Sequence, residues 1–105
     1  MPKKHLILIG FMGSGKTTVG ERLASSLSLP WVDTDKCLEQ KLGCSIADYF
    51  KTHGEQAFRD RETALLKTLL DKEPSLITTG GGMVLREENR KLMLTMGWVV
   101  YLHPE

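Results

Sequence analysis

Gly10-Phe11-Met12-Gly13-Ser14-Gly15-Lys16-Thr17 decides how the rest of the chain is read. It fits G-x-x-x-x-G-K-[ST], a loop whose backbone amides wrap a chain of phosphates. Upstream, the apolar run Leu6-Ile7-Leu8-Ile9 reads as a buried strand. Downstream, Val19, Leu23 and Leu27 recur every four residues, with Glu21 and Arg22 between them, and predict a helix with those three on its buried face. Strand, glycine loop and helix therefore come in the order this loop needs. Glycines at 10, 13 and 15 let the chain turn tightly and bring its N–H groups to an anion, and the helix start adds its dipole. In this pattern Gly13, Ser14, Gly15, Lys16, Thr17 and Thr18 are the nucleotide-binding candidates. Lys16 supplies charge at the β- and γ-phosphates, and Thr17 supplies a hydroxyl for Mg²⁺.

A chain of 105 residues with a net charge of +1 and ordinary apolar and charged fractions is read as one soluble domain. So small a charge gives no long-range pull toward nucleic acid or an anionic membrane, so anion affinity must be local to a site. The first apolar run meets glycine and Lys16 too soon for a signal peptide or membrane span, which places the protein in the cytoplasm. Cys37 and Cys44 have no metal-ligand spacing and read as buried or half-buried thiols. His5, His53 and His103 are scattered and read as surface or cap residues. Met93 and Met96 read as core-facing.

The chain then alternates. Pro30-Trp31-Val32-Asp33 reads as a second strand, followed by a helix that carries Leu38 and Leu42 and stops at Gly43. Ser45, with Asp48 three places on, opens the next helix, which closes at Gly54. A longer one runs from about Glu55 to Asp71, with Phe58, Leu65, Leu66 and Leu69 along one side and Glu62 at the edge of that stripe. Leu76-Ile77-Thr78-Thr79 is a third strand running into Gly80-Gly81-Gly82. A helix over Glu87 to Met96 and a strand over Trp98 to Leu102 complete the pattern. Strands alternating with helices imply an α/β fold, a parallel sheet with helices on both faces, in which ligands bind beyond the carboxyl ends of the strands.

Three strand ends carry unusual residues. Asp33 and Asp35, at i and i+2 beyond the second strand, are placed to divide the work of metal and hydroxyl contacts, although Asp35 also stands where a helix N-cap would. Arg59 and Glu62 are three apart on one helix, a spacing that suits either a plain surface ion pair or a carboxylate orienting a guanidinium for bidentate binding of an acid. Three successive glycines at a strand end suggest close approach of a ligand to the backbone.

The phosphate loop, Val32-Asp33-Thr34-Asp35, Phe58-Arg59-x-x-Glu62 and Thr79-Gly80-Gly81-Gly82, in this order and spacing, closely resemble shikimate kinase. The resemblance implies a P-loop NTPase-type sheet and transfer of the γ-phosphoryl group of ATP to the 3-hydroxyl of shikimate. It implies Lys16 as phosphate-binding and catalytic, Thr17 and Asp33 as metal residues, and Asp35 on the substrate hydroxyls and as a base. It further implies Arg59 on the substrate carboxylate with Glu62 as its partner, and Phe58, Gly80, Gly81 and Gly82 lining the substrate pocket. ATP, shikimate and Mg²⁺ are then the expected ligands, with no nucleic acid or membrane partner. Family members continue into an arginine-bearing lid, a fifth strand and an adenine-binding segment. Residues 1–105 thus correspond to the N-terminal three-fifths, a domain with four of five strands, and self-association through the uncovered sheet edge is expected. The alternatives are a non-catalytic nucleotide- or phosphate-binding module and a kinase for another polyhydroxy acid, such as gluconate.

Overall fold

In the computed structural model, residues 4–10, 16–80 and 82–102 are described, without the side chains of residues 16–18 and 102. The first apolar run forms β1, His5–Gly10, and α1, Lys16–Leu27, follows the glycine loop. Then come β2, Trp31–Asp33, α2, Thr34–Leu42, α3, Ile46–His53, and α4, Glu55–Leu70. The chain ends with β3, Leu76–Thr78, a single 3₁₀ turn, Met83–Leu85, then α5, Glu87–Met96, and β4, Gly97–Leu102. The strands pair in the order β2-β3-β1-β4, all parallel. Asp33 pairs with Thr78, and Thr78 with Leu8, two residues before Gly10. The carboxyl ends of β1, β2 and β3 therefore share one edge, as expected from alternation.

Helices cover both faces. Ile7 and Ile77 point into the larger core, with Leu38, Phe58, Leu66, Met83, Met93 and Met96 from the helices. Leu8 and Leu76 point the other way, onto Ala24 of α1. Sequence periodicity misplaced the buried face of α1: Val19 and Leu27 are 40% and 50% exposed, whereas Gly20 and Ala24 are buried. Size explains the reversal. A methyl on Gly20 would come within 2.6 Å of Thr78 Cγ2, so α1 approaches β3 along its smallest residues and leaves the larger apolar ones on its flanks.

Three further expectations change. Asp33, not Asp35, is the N-cap of α2, its Oδ1 accepting from the amides of Asp35 (3.0 Å) and Lys36 (3.4 Å). His5 is buried rather than on the surface, its Nδ1 accepting from the Ser75 amide at 3.1 Å across the N-terminal end of the sheet. Glu62 lies within the buried stripe rather than at its edge, 1% exposed. The other stops hold. Gly43 ends α2 with a left-handed φ of +73°, and the Ser45 hydroxyl accepts from the Asp48 amide at 3.1 Å. Cys37 and Cys44 are free and half-buried. No described helix is long and apolar enough to cross a membrane.

Candidate functional site

The site begins where β1 hands over to α1. Gly13, Ser14 and Gly15, and the side chains of Lys16, Thr17 and Thr18, lie outside the described residues, as does Gly81. What is described is the frame, a strand that ends at Gly10 and a helix that starts at Lys16. The helix N-terminus stands at the carboxyl edge of the sheet, where the first amides of a helix, having no partner within it, favour an anion.

Beside it, the end of β3 is held against the start of α2. The buried Thr34 hydroxyl accepts from the Gly80 amide at 3.2 Å, and the Trp31 indole donates to Thr78 Oγ1 at 3.1 Å. The Asp35 carboxylate lies directly on Gly80. A methyl there would come within 2.5 Å of Asp35 Oδ1 and 3.1 Å of Oδ2. Gly82 does the same for Arg59, whose guanidinium occupies the space a methyl on Gly82 would fill, with Nη2 at 2.5 Å and Cζ at 2.6 Å from that position. Two of the three glycines thus give way to the two side chains singled out as acid- and hydroxyl-binding. Close approach to the backbone is real there, and the approaching groups are Asp35 and Arg59.

Arg59 is held from three sides. Glu62 Oε1 accepts from Nη1 at 2.8 Å, and Glu55 Oε2 accepts from Nη2 at 3.1 Å and Nε at 3.3 Å. The guanidinium carbon lies 5.6 Å and 5.8 Å from the ring centroids of Phe58 and Phe50, within cation–π range. Phe58 is 3% exposed and belongs to the core, so its contribution here is a floor for Arg59. Partial burial works against the Arg59 charge, but the hydrogen bonds and charges of Glu62 and Glu55 outweigh it and raise its pKa. The pair is therefore not the exposed, weak kind, since Glu62 is buried and Arg59 only 15% exposed.

Sequence reading missed Thr34, Phe50, Glu55 and Arg86. Glu55 stands four residues before Arg59, so the spacing rule that found Glu62 would have found it too. Arg86 carried no such signal. It reaches α4 from the start of α5, bonding Asp60 at 2.8 Å and Gln56 at 3.0 Å. Nearby, Thr63 donates to Asn89 at 2.6 Å, and the buried Asn89 donates to the Met83 carbonyl at 2.9 Å. These bonds fix the segment after the glycines to the helix that carries Arg59.

Burial drives the Glu62 carboxyl above its ordinary value of 4.5. The Asp35 charge acts in the same direction, while Arg59 and, more weakly, Arg86 pull it down. A carboxyl that binds its proton more tightly in the fold contributes stability that is complete below its unfolded pKa and is lost as pH rises through the folded one. Glu62→Gln has no charge to bury, so the Tm of the variant should rise relative to the parent as pH increases from 4 to 7. Melts across that range check this, and a difference that is flat or falls with pH overturns it.

The sequence and the fold have counterparts among known proteins. The family model described as shikimate kinase matches residues 12–105. The shikimate kinase of Enterococcus faecalis is 51% identical over 100 residues, 95% of this chain and 59% of its own. A solved shikimate kinase from Acinetobacter baumannii, in complex with shikimate, superposes with a TM-score of 0.93 at 39% identity, over 98% of this chain and 57% of that one. The Aquifex aeolicus shikimate kinase does so with a TM-score of 0.88 at 42% identity, over 92% and 58%. The chain spans less than three-fifths of the length of these relatives. With the family model matching residues 12–105 and these relatives matching nearly all of the chain, the chain belongs to the shikimate kinase family.

Proposed function

We propose that the protein carrying this chain transfers the γ-phosphoryl group of ATP to the 3-hydroxyl of shikimate. One observation carries the reading. Arg59 and Asp35 are seated on Gly82 and Gly80, beyond β3 at the sheet edge where α1 begins, which supports a carboxylate-binding cation and a hydroxyl-binding anion on one wall. An acceptor suited to that wall has an acid group and hydroxyls on one small frame.

Residues of the chain divide the work. Arg59, braced by Glu62, grips the acid group, and Asp35 accepts a hydrogen bond from the ring hydroxyls, orienting one toward the nucleotide and taking its proton as the new bond forms. Gly80 and Gly82 keep the wall thin, Gly81 is the third glycine assigned to the pocket, and Phe58 lies beneath Arg59. Gly13, Ser14 and Gly15 with Thr18 hold the phosphates, and Lys16 offsets charge on the oxygens of the transferred group. Alignment and charge neutralisation contribute more than base strength here, because the phosphoryl transfer passes through a loose transition state.

Mg²⁺ fits the residues at this edge. A hydroxyl from Thr17 and a carboxylate from Asp33 are hard oxygen donors of the kind a small hard cation takes, phosphate and water completing its shell. When bound, the ion would neutralise charge shared between the β- and γ-phosphates. With ATP as donor, the working compartment is the cytoplasm.

A coupled assay of ADP release on the full-length protein tests the reading. Release is expected to depend on shikimate and to stay at the no-acceptor level with gluconate. ADP release that ignores shikimate, or that gluconate supports equally, overturns it.

A further inference from the structure

The side of Arg59 open to an incoming acid is already occupied. A guanidinium offers paired N–H groups along two edges, one from Nε and Nη2 and one from Nη2 and Nη1. Nη1 is bonded to the buried Glu62 carboxylate, and both Nη1 and Nη2 lie against Gly82. The Nε and Nη2 edge faces outward, and there a single oxygen of Glu55 accepts from both nitrogens. Glu55 is 62% exposed, whereas Glu62 on the other side is 1% exposed. Glu55 is also the first residue of α4, after Gly54 at φ +87°, and that helix start has no side-chain cap to hold it. Of the two carboxylates on Arg59, one is fixed in the core and the other is free to swing into water.

We propose that Glu55 is an internal stand-in for the substrate carboxylate, holding the outer edge of Arg59 in the unliganded protein and leaving it when the acid binds. This rests on the assignment of Arg59 to the acid group. The consequence is opposite to that of an ordinary supporting residue: removing the Glu55 charge improves acid binding instead of weakening it. An exposed i,i+4 pair is weak, so the gain is modest, about two- to fivefold in affinity. With Glu55 in place, an empty Arg59 stays oriented over Phe50 and Phe58 and does not turn toward other anions.

Titration calorimetry on the full-length protein tests this with two ligands, shikimate and its neutral carboxamide. Glu55→Gln should bind shikimate about two- to fivefold more tightly and leave carboxamide affinity unchanged. Shikimate affinity that is unchanged or weaker, which marks Glu55 as a brace for Arg59, overturns the proposal. An equal gain for both ligands also overturns it, because the effect would not pass through the acid group. Arg59→Ala, run alongside, separates the two levels. Where it abolishes the preference for shikimate over the carboxamide but Glu55→Gln brings no gain, the acid site stands and the stand-in role falls. Where Arg59→Ala leaves that preference intact, both fall.

Discussion

Gly97→Ala should lower Tm by about 15 °C, on an overpacking cost of about 3 kcal/mol. Gly97 opens β4 and pairs with His5, the first rung of a ladder that continues to Gly10 and Leu102. A methyl there would run into the His5 carbonyl oxygen and lie 2.5 Å from its amide nitrogen. Backbone cannot rotate aside as a side chain does, so relief requires β1 and β4 to part at that rung, beside the buried His5. Against a total stability of roughly 5–15 kcal/mol, that is a large share. Gly43 sets the scale for a different kind of cost. A methyl there meets nothing within 4 Å, but φ is +73°, so Gly43→Ala should cost only about 1 kcal/mol of backbone strain. Thermal melts of the two variants should therefore rank Gly97→Ala well below Gly43→Ala. A Gly97→Ala protein within about 3 °C of the parent would mean that the strand pairing tolerates what the geometry forbids.

The same closeness of backbone explains what sequence could and could not reveal. Apolar runs with glycine or proline at their ends marked all four strands, and alternation with helices made the sheet parallel, because few other packings bury those runs. Convergence of the strand ends followed from that fold logic, and Asp35, Arg59, Gly80 and Gly82 were legible because their neighbours have special chemistry. The burial of α1 was not legible. Periodicity weighs side chains by hydrophobicity, whereas the helix is seated by the absence of one at Gly20. Nor was the cap at Asp33, since Asp33 and Asp35 have the same chemistry and only the backbone path decides which one meets the amides. Burial of His5 depends on a strand distant in sequence, through Ser75, whereas Arg59 beside Glu62 was legible from spacing and only the depth of Glu62 in the core was not. The partners of Arg86 and Asn89 are long-range in the same way, and no spacing rule reaches them.

Arg59→Ala should weaken binding of the acid substrate by about a hundredfold or more, the usual scale for truncating one member of a buried charged hydrogen-bonded pair, with nucleotide affinity unchanged. Stability has to be separated from function here. Removing Arg59 leaves Glu62 buried without the cation that lowers its pKa, while burial and Asp35 still raise it. Its folded pKa then rises further, so the cost is small below the unfolded value of about 4.5 and grows above it, by an amount on the order of 3 kcal/mol for an uncompensated buried charge. The variant could thus lose substrate simply by loosening at neutral pH. Arg59→Ala combined with Glu62→Gln removes both charges and should recover most of the Tm lost in the single variant without recovering any affinity for the acid. If the double variant binds the acid normally, Arg59 is a structural cation and the acid site is elsewhere. If the single variant loses nucleotide and acid in equal measure, the two sites are not independent, and Arg59 supports the whole sheet edge instead of one ligand.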